Sequence, residues 1–152
     1  MLFSPERADG LAQQIRTASV PTVDIFSGII ADCTRLPTLV KAGKAAQIDR
    51  LLKSGAWTDV ALSVIESELP AWKVRRLIFE DGEWFCSLSR QQNLPAELDD
   101  TADAHHECLP LAILSAFMEA RRRVVASRGN HSTIAPKIRT AAENPICCDN
   151  FA

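Results

Sequence analysis

The stretch from Trp72 to Leu88, WKVRRLIFEDGEWFCSL, constrains the fold of this chain more than any other. Two runs rich in aliphatic and aromatic residues flank Asp81-Gly82. An Asp-Gly pair in that setting marks a two-residue type I′ hairpin, because both central residues must take positive φ. With this pair as the loop, Phe79 lies opposite Trp84, Leu77 opposite Cys86 and Arg75 opposite Leu88 on one face. The other face carries Ile78 with Phe85, Arg76 with Ser87, and Val74 with Ser89. The first face is apolar except for Arg75 and is expected to pack on helices. The second is expected to be partly wet. A lone hairpin is marginal in water, so helices elsewhere in the chain must cover it.

The cover is legible on both sides of the hairpin. Ile48, Leu51 and Leu52 form a helical stripe that ends at Ser54-Gly55, where glycine is the expected residue just past a helix. Trp57, Val60, Ala61, Val64 and Ile65 repeat at helical spacing and stop before Pro70. The connection between these helices is short, which makes them antiparallel neighbours. After the hairpin, Gln91 to Asp103 reads as a polar connection. Leu109, Ile113, Phe117 and Ala120 then define a last helix, widened by Leu114 and Met118, with Pro110 in its first turn. The expected fold is α+β, with a helix-helix-hairpin-helix core over residues 41–123.

The flanks read less clearly. In residues 1–40, Pro5-Glu6 opens a short helix with only Leu11 and Ile15 on its apolar face, and the stretch Val23 to Ile30 fits strand or helix. This segment is expected to be weakly ordered. Residues 124–152 lose the apolar pattern and are expected to form a flexible tail. A length of 152 residues is room for one domain.

Charge and cysteine usage narrow the class. The chain carries 17 basic and 19 acidic residues, a net charge of −2. Proteins that hold nucleic acid by counterion release are usually strongly basic, so nucleic acid is not the expected main partner. The opening MLFSPERADG has no apolar stretch after a basic one, and the longest apolar run, Leu109 to Met118, is half a membrane span. Cysteines at 33, 86, 108, 147 and 148 form no CxxC and are odd in number. They read as reduced thiols, and a cytoplasmic protein with no membrane partner is expected.

Several residues carry candidate chemistry. On a helix, His105 and Cys108 are three apart and face one metal ion, but zinc needs three or four ligands and neither HExxH nor a Pro-Cys-x-x-Cys partner is present. Asp99, Asp100 and Asp103 spell DDxxD, a magnesium-binding spacing in prenyl-transferring enzymes. Acids at the start of the last helix and Arg121, Arg122 and Arg123 at its end are what a helix dipole favours, and that reading, which explains both clusters together, is preferred. Arg75 and Arg76 lie beside Trp72, Trp84 and Phe85, a composition that stacks on single-stranded nucleic acid. No GxSxG, phosphate-binding loop or GxGxxG occurs. Neither an enzyme nor a cofactor is expected.

The segments GAWTDVAL, ELPAWKVRRLIFEDGEWFCSLSRQ, LPAELDD and LPLAIL, between Trp57 and Arg123, resemble a group of small hypothetical proteins from soil and symbiotic α-proteobacteria. That resemblance carries no assigned activity, cofactor or site. It implies a bacterial, intracellular accessory protein.

The expected function is therefore protein interaction, with another protein or a second copy of this chain. A hairpin edge left unpaired invites a strand, and Arg76, Ile78 and Phe85 are the expected contact residues. The alternative is a small regulator that touches nucleic acid through Arg75, Arg76 and Arg121–Arg123. A third is a metal-binding protein using His105 and Cys108.

Overall fold

The computed structural model describes residues 4–35 and 43–130. Five helices, α1 (Pro5–Thr17), α2 (Val23–Asp32), α3 (Lys44–Lys53), α4 (Trp57–Glu68) and α5 (Leu109–Asn130), surround three strands, β1 (Lys73–Glu80), β2 (Glu83–Ser89) and β3 (Thr101–His106). The strands form one antiparallel sheet in the order β1-β2-β3. The fold is α+β, as the sequence pattern implies.

The hairpin forms at the expected loop. Asp81 and Gly82 have φ of 53° and 85°, and Glu80 pairs with Glu83 across them. The register follows the expected pairing from Phe79–Trp84 to Arg76–Ser87. It then shifts, so that Val74 pairs with Leu88 and Lys73 with Ser89. A bulge at Arg75 absorbs the difference and corrects the expected Arg75–Leu88 and Val74–Ser89 pairs. The physical reason is the fate of the Arg75 side chain. Instead of entering the apolar face, its guanidinium bonds the Asp99 carboxylate and the Leu94 carbonyl (2.9 Å). Extra residues in a strand commonly re-aim a side chain in this way.

A third strand lies where a polar connection and helix start were expected. β3 pairs with β2 over the full length of Thr101 to His106. Its sequence, TADAHH, alternates, but with alanine as the inward residue, which carries little apolar signal. Ala102 is fully buried, and Cys86–Ala104 and Leu88–Ala102 pairs face the helices. Small residues there let α5 lie close on the sheet. Leu111, Ile113, Leu114 and Phe117 of α5 are all fully buried, consistent with a central helix apolar on more than one side.

The N-terminal region is part of the core, in contrast to the weak order expected for residues 1–40. Ala8, Leu11 and Ile15 form the buried stripe of α1, and Ile25, Phe26 and Ile29 that of α2. A thin stripe suffices because α1 packs on both α2 and α5, and tertiary burial outweighs weak local propensity. Thr22 caps α2 by accepting from the Ile25 amide (3.4 Å). At Gly28 the two helices approach so closely that a Cβ would meet Leu11 Cδ2 at 3.0 Å.

At the other end, α5 runs on to Asn130, so residues 124–130, expected in a flexible tail, are helical. The rest of the expected tail, residues 131–152, lies outside the described residues, as do residues 1–3 and 36–40 of the N-terminal segment. No helix among the described residues is long and apolar enough to cross a membrane.

Candidate partner-binding edge and open sheet face

The alternation of each strand divides the sheet into a helix-covered face and an open face. On the open face, Ile78, Phe85 and His105 form one row across all three strands. The Phe85 and His105 rings lie 4.8 Å apart between centroids. Next to them lies the row of Arg76, Ser87 and Asp103, in which the Ser87 hydroxyl donates to Asp103 Oδ1 (2.6 Å). The three residues expected to contact a partner, Arg76, Ile78 and Phe85, are thus brought together on one surface. Ile78 and Phe85 are half-buried, and Arg76 is exposed.

The open face closes at its far end. Ser89 is fully buried beneath the connection between β2 and β3, where Asp99 accepts from the Ser89 hydroxyl and the Arg75 guanidinium. These partners hold the Asp99 carboxyl below the usual carboxylate range, Ser89 foremost, against the opposing effect of burial.

The outer side of the hairpin differs from its expectation. Leu77 and Phe79 belong to the helix-side face by register, yet they are 37% and 55% exposed. They project beyond the helices near the hairpin tip. Phe79 rests on Trp84 with ring centroids 5.2 Å apart. β1 is also a sheet edge, with no strand beyond it among the described residues. In a two-residue hairpin the residues flanking the loop exchange both backbone bonds, and alternate pairs repeat this down the ladder. Glu80, Ile78 and Arg76 therefore bond inward to β2, and the amides and carbonyls of Leu77 and Phe79 face outward. The outward exposure of Leu77 and Phe79 was not foreseen from the apolar pattern, although the phase of the Asp-Gly turn sets which backbone groups of β1 face outward.

Charge along this edge is segregated. Lys73, Arg75 and Arg76 occupy its base, and Glu80, Asp81 and Glu83 its tip. Arg75 is taken by Asp99. Neither Arg76 nor Glu80 makes an ion pair among the described residues.

The arginines of the nucleic-acid alternative point to separate places. Arg121 is buried and donates to Asp32 through its carboxylate (2.9 Å) and its carbonyl (3.0 Å). Arg122 bonds Asp9 (2.9 Å), and Arg123 pairs with Glu119 and Asp100. With Arg75 on Asp99, four of the five named arginines are committed to carboxylates. Only Arg76 keeps its charge exposed toward the open face.

The metal alternative rested on His105 and Cys108 sharing a helix face. His105 instead projects from β3 on the open face, and Cys108 follows the strand in the turn before α5. The neighbouring His106 points inward, accepting from the Cys108 amide at Nδ1 (2.9 Å), so Nε2 carries the proton and donates to the Ile15 carbonyl (3.0 Å). Among the described residues no group of three or more His, Cys, Asp or Glu side chains is placed to hold a metal ion. The DDxxD acids are likewise split between Arg75, Arg123 and Ser87.

Burial pushes the Cys33 and Cys86 thiols up to about 12, the charges of Glu68 and Asp103 adding to the effect respectively. Burial of this kind disfavours the thiolate form in both. Compared with known proteins, the chain matches no family model, no curated protein and no solved structure.

Proposed function

We propose that this protein is a small non-catalytic interaction domain that pairs with a second copy of itself along β1. The observation that carries the reading is the β1 edge. Exposed Leu77 and Phe79 present outward backbone groups, and the exposed charges of Arg76 and Glu80 flank them at equal distances from Ile78.

That spacing is self-complementary. An antiparallel pairing centred on Ile78 sets Ile78 against its own copy, Leu77 against Phe79 and Arg76 against Glu80. The Ile78 pair lies on the two-fold axis, and each of the other two pairs occurs twice, as that symmetry requires. The face parity is consistent, because Arg76, Ile78 and Glu80 lie on the open face and Leu77 and Phe79 on the other. The backbone phase is consistent too. The outward groups of Leu77 and Phe79 meet each other as hydrogen-bonded pairs, and Ile78 falls at a non-bonded pair between them. The product is a continuous six-stranded sheet. It covers the exposed leucine and phenylalanine of both copies and relieves the like-charged Glu80–Glu83 pair.

The buried, protonated thiols favour an interaction role over nucleophilic catalysis. The free state of Cys33, Cys86 and Cys108 accords with a reducing cytoplasm, which forms part of the proposal.

Sedimentation equilibrium over about 1–300 µM, a range bracketing micromolar affinity, tests the pairing. A reversible dimer is expected. Arg76→Glu and Glu80→Arg should each weaken it about tenfold, since two attractive contacts become repulsive. The double variant should restore it. A monomer throughout this range overturns the proposal, as does a dimer insensitive to both single changes.

A further inference from the structure

The open face of the sheet carries rows of side chains that differ in chemistry. Ile78, Phe85 and His105 form an apolar and aromatic row across the three strands. On its tip side Glu80 and Glu83 face each other across the turn, and Glu107 follows directly on β3 at the same end. On its base side lie Arg76, Ser87 and Asp103. The four acids and Arg76 are all exposed.

The acids keep their charge. Glu80, Glu83, Asp103 and Glu107 form no ion pair among the described residues. Asp103 accepts from the hydroxyls of Ser87 (2.6 Å) and Thr101 (3.2 Å), which are neutral donors. Arg76 is the one permanent cation in these rows. Pairing along β1 would set it against Glu80 of the second copy.

The backbone restricts what can cover this face. β2 is bonded on both sides within the sheet, so a segment lying over it finds no free main-chain groups. Such a segment must satisfy its own amides and carbonyls, and a helix does so. Neighbouring strands are about 4.8 Å apart, close to the helical pitch of about 5.4 Å. An apolar stripe on a helix crossing the strands therefore meets Ile78, Phe85 and His105 on successive turns.

From this combination we infer that the open face docks an amphipathic helix of another protein, apolar along one stripe and basic on its flanks. Lysines or arginines beside the stripe reach Glu80 and Glu83 on one side and Asp103 on the other. The same acids repel a phosphate backbone. Pairing along β1 leaves this face open, so the inference stands with or without self-association.

Fluorescence anisotropy of the intact protein tests it, at about 0.15 M salt so that long-range attraction is screened. The probe is a labelled peptide of about 18 residues, lysine and leucine only, with the leucines at helical spacing. A dissociation constant on the order of 10 µM is expected. The same residues in scrambled order, and a peptide with glutamate for every lysine, should each bind at least about tenfold more weakly. Phe85→Ala should weaken the lysine–leucine peptide about tenfold and Glu83→Lys about fivefold. Phe79→Ala, on the other face, should leave it unchanged. Failure to bind at about 300 µM overturns the inference, as does binding that neither Phe85→Ala nor Glu83→Lys diminishes. Equal binding of the scrambled peptide overturns the helix, and equal binding of the glutamate peptide overturns the basic partner.

Discussion

The two faces of the sheet are built from alternating residues of the same strands, and they have opposite fates. Cys86, Leu88, Ala102 and Ala104 point one way into a shell of helices. Phe85, Ser87, Asp103 and His105 point the other way, where Asp103 and His105 are exposed and Phe85 is half-buried. A step of one residue therefore separates the helix-packed face from the open one. Residues of the same type in the two environments provide internal controls.

The sharpest contrast is between two phenylalanines. Phe117 of α5 is fully buried, so Phe117→Ala should lower the unfolding free energy by about 3–5 kcal/mol in urea denaturation. Phe85 is half-buried on the open face, and Phe85→Ala should lower it by about 1 kcal/mol. Equal losses would erase the distinction between the helix-packed core and the open face.

Two adjacent histidines make a smaller contrast. His106→Leu leaves the Ile15 carbonyl and the Cys108 amide without their partner, and a loss of about 2 kcal/mol is expected in the same assay. His105→Leu touches only the Phe85 ring among the described ring contacts, and a change within about 0.5 kcal/mol is expected.

The smallest effect concerns acid. Asp99 is held below the usual carboxylate range by Ser89 and then Arg75. A group depressed in the folded state contributes stability above its unfolded value, about 3.9, and loses it as pH falls through the folded value. Urea midpoints of the parent and of Asp99→Asn should differ at pH 7, with the parent more stable, and converge on acidification below about pH 4. A constant gap between the two would remove Asp99 from the acid response.

What was legible in the sequence depended on the size of the side chains that carry the pattern. α3, α4 and the hairpin announce themselves through leucine, isoleucine, valine and tryptophan at regular spacing. β3 presents alanine inward, and α1 relies on Ala8 beside Leu11 and Ile15, so both carried weak signals although their contacts are tight. Arg76, Ile78 and Phe85 share a surface because strand alternation alone puts them there. The common helix face assumed for His105 and Cys108 does not form, since His105 lies on β3 and Cys108 follows it in the connection to α5. The acids of the open face come from positions 80 to 107, and only the pairing of β3 brings Asp103 beside those of the hairpin.

The bulge at Arg75 sets how far association can run. It ends the regular edge of β1 just beyond Arg76, so a partner strand finds only a short window before the backbone turns away. In the proposed pairing each chain spends its single window on the other. The outer strand left on either side is β3, six residues long with Asp103 and His105 in it. Short edges carrying charge are poor templates for a further strand. Under the proposed pairing, growth would therefore halt at two chains, and the exposed apolar hairpin would not seed a fibre.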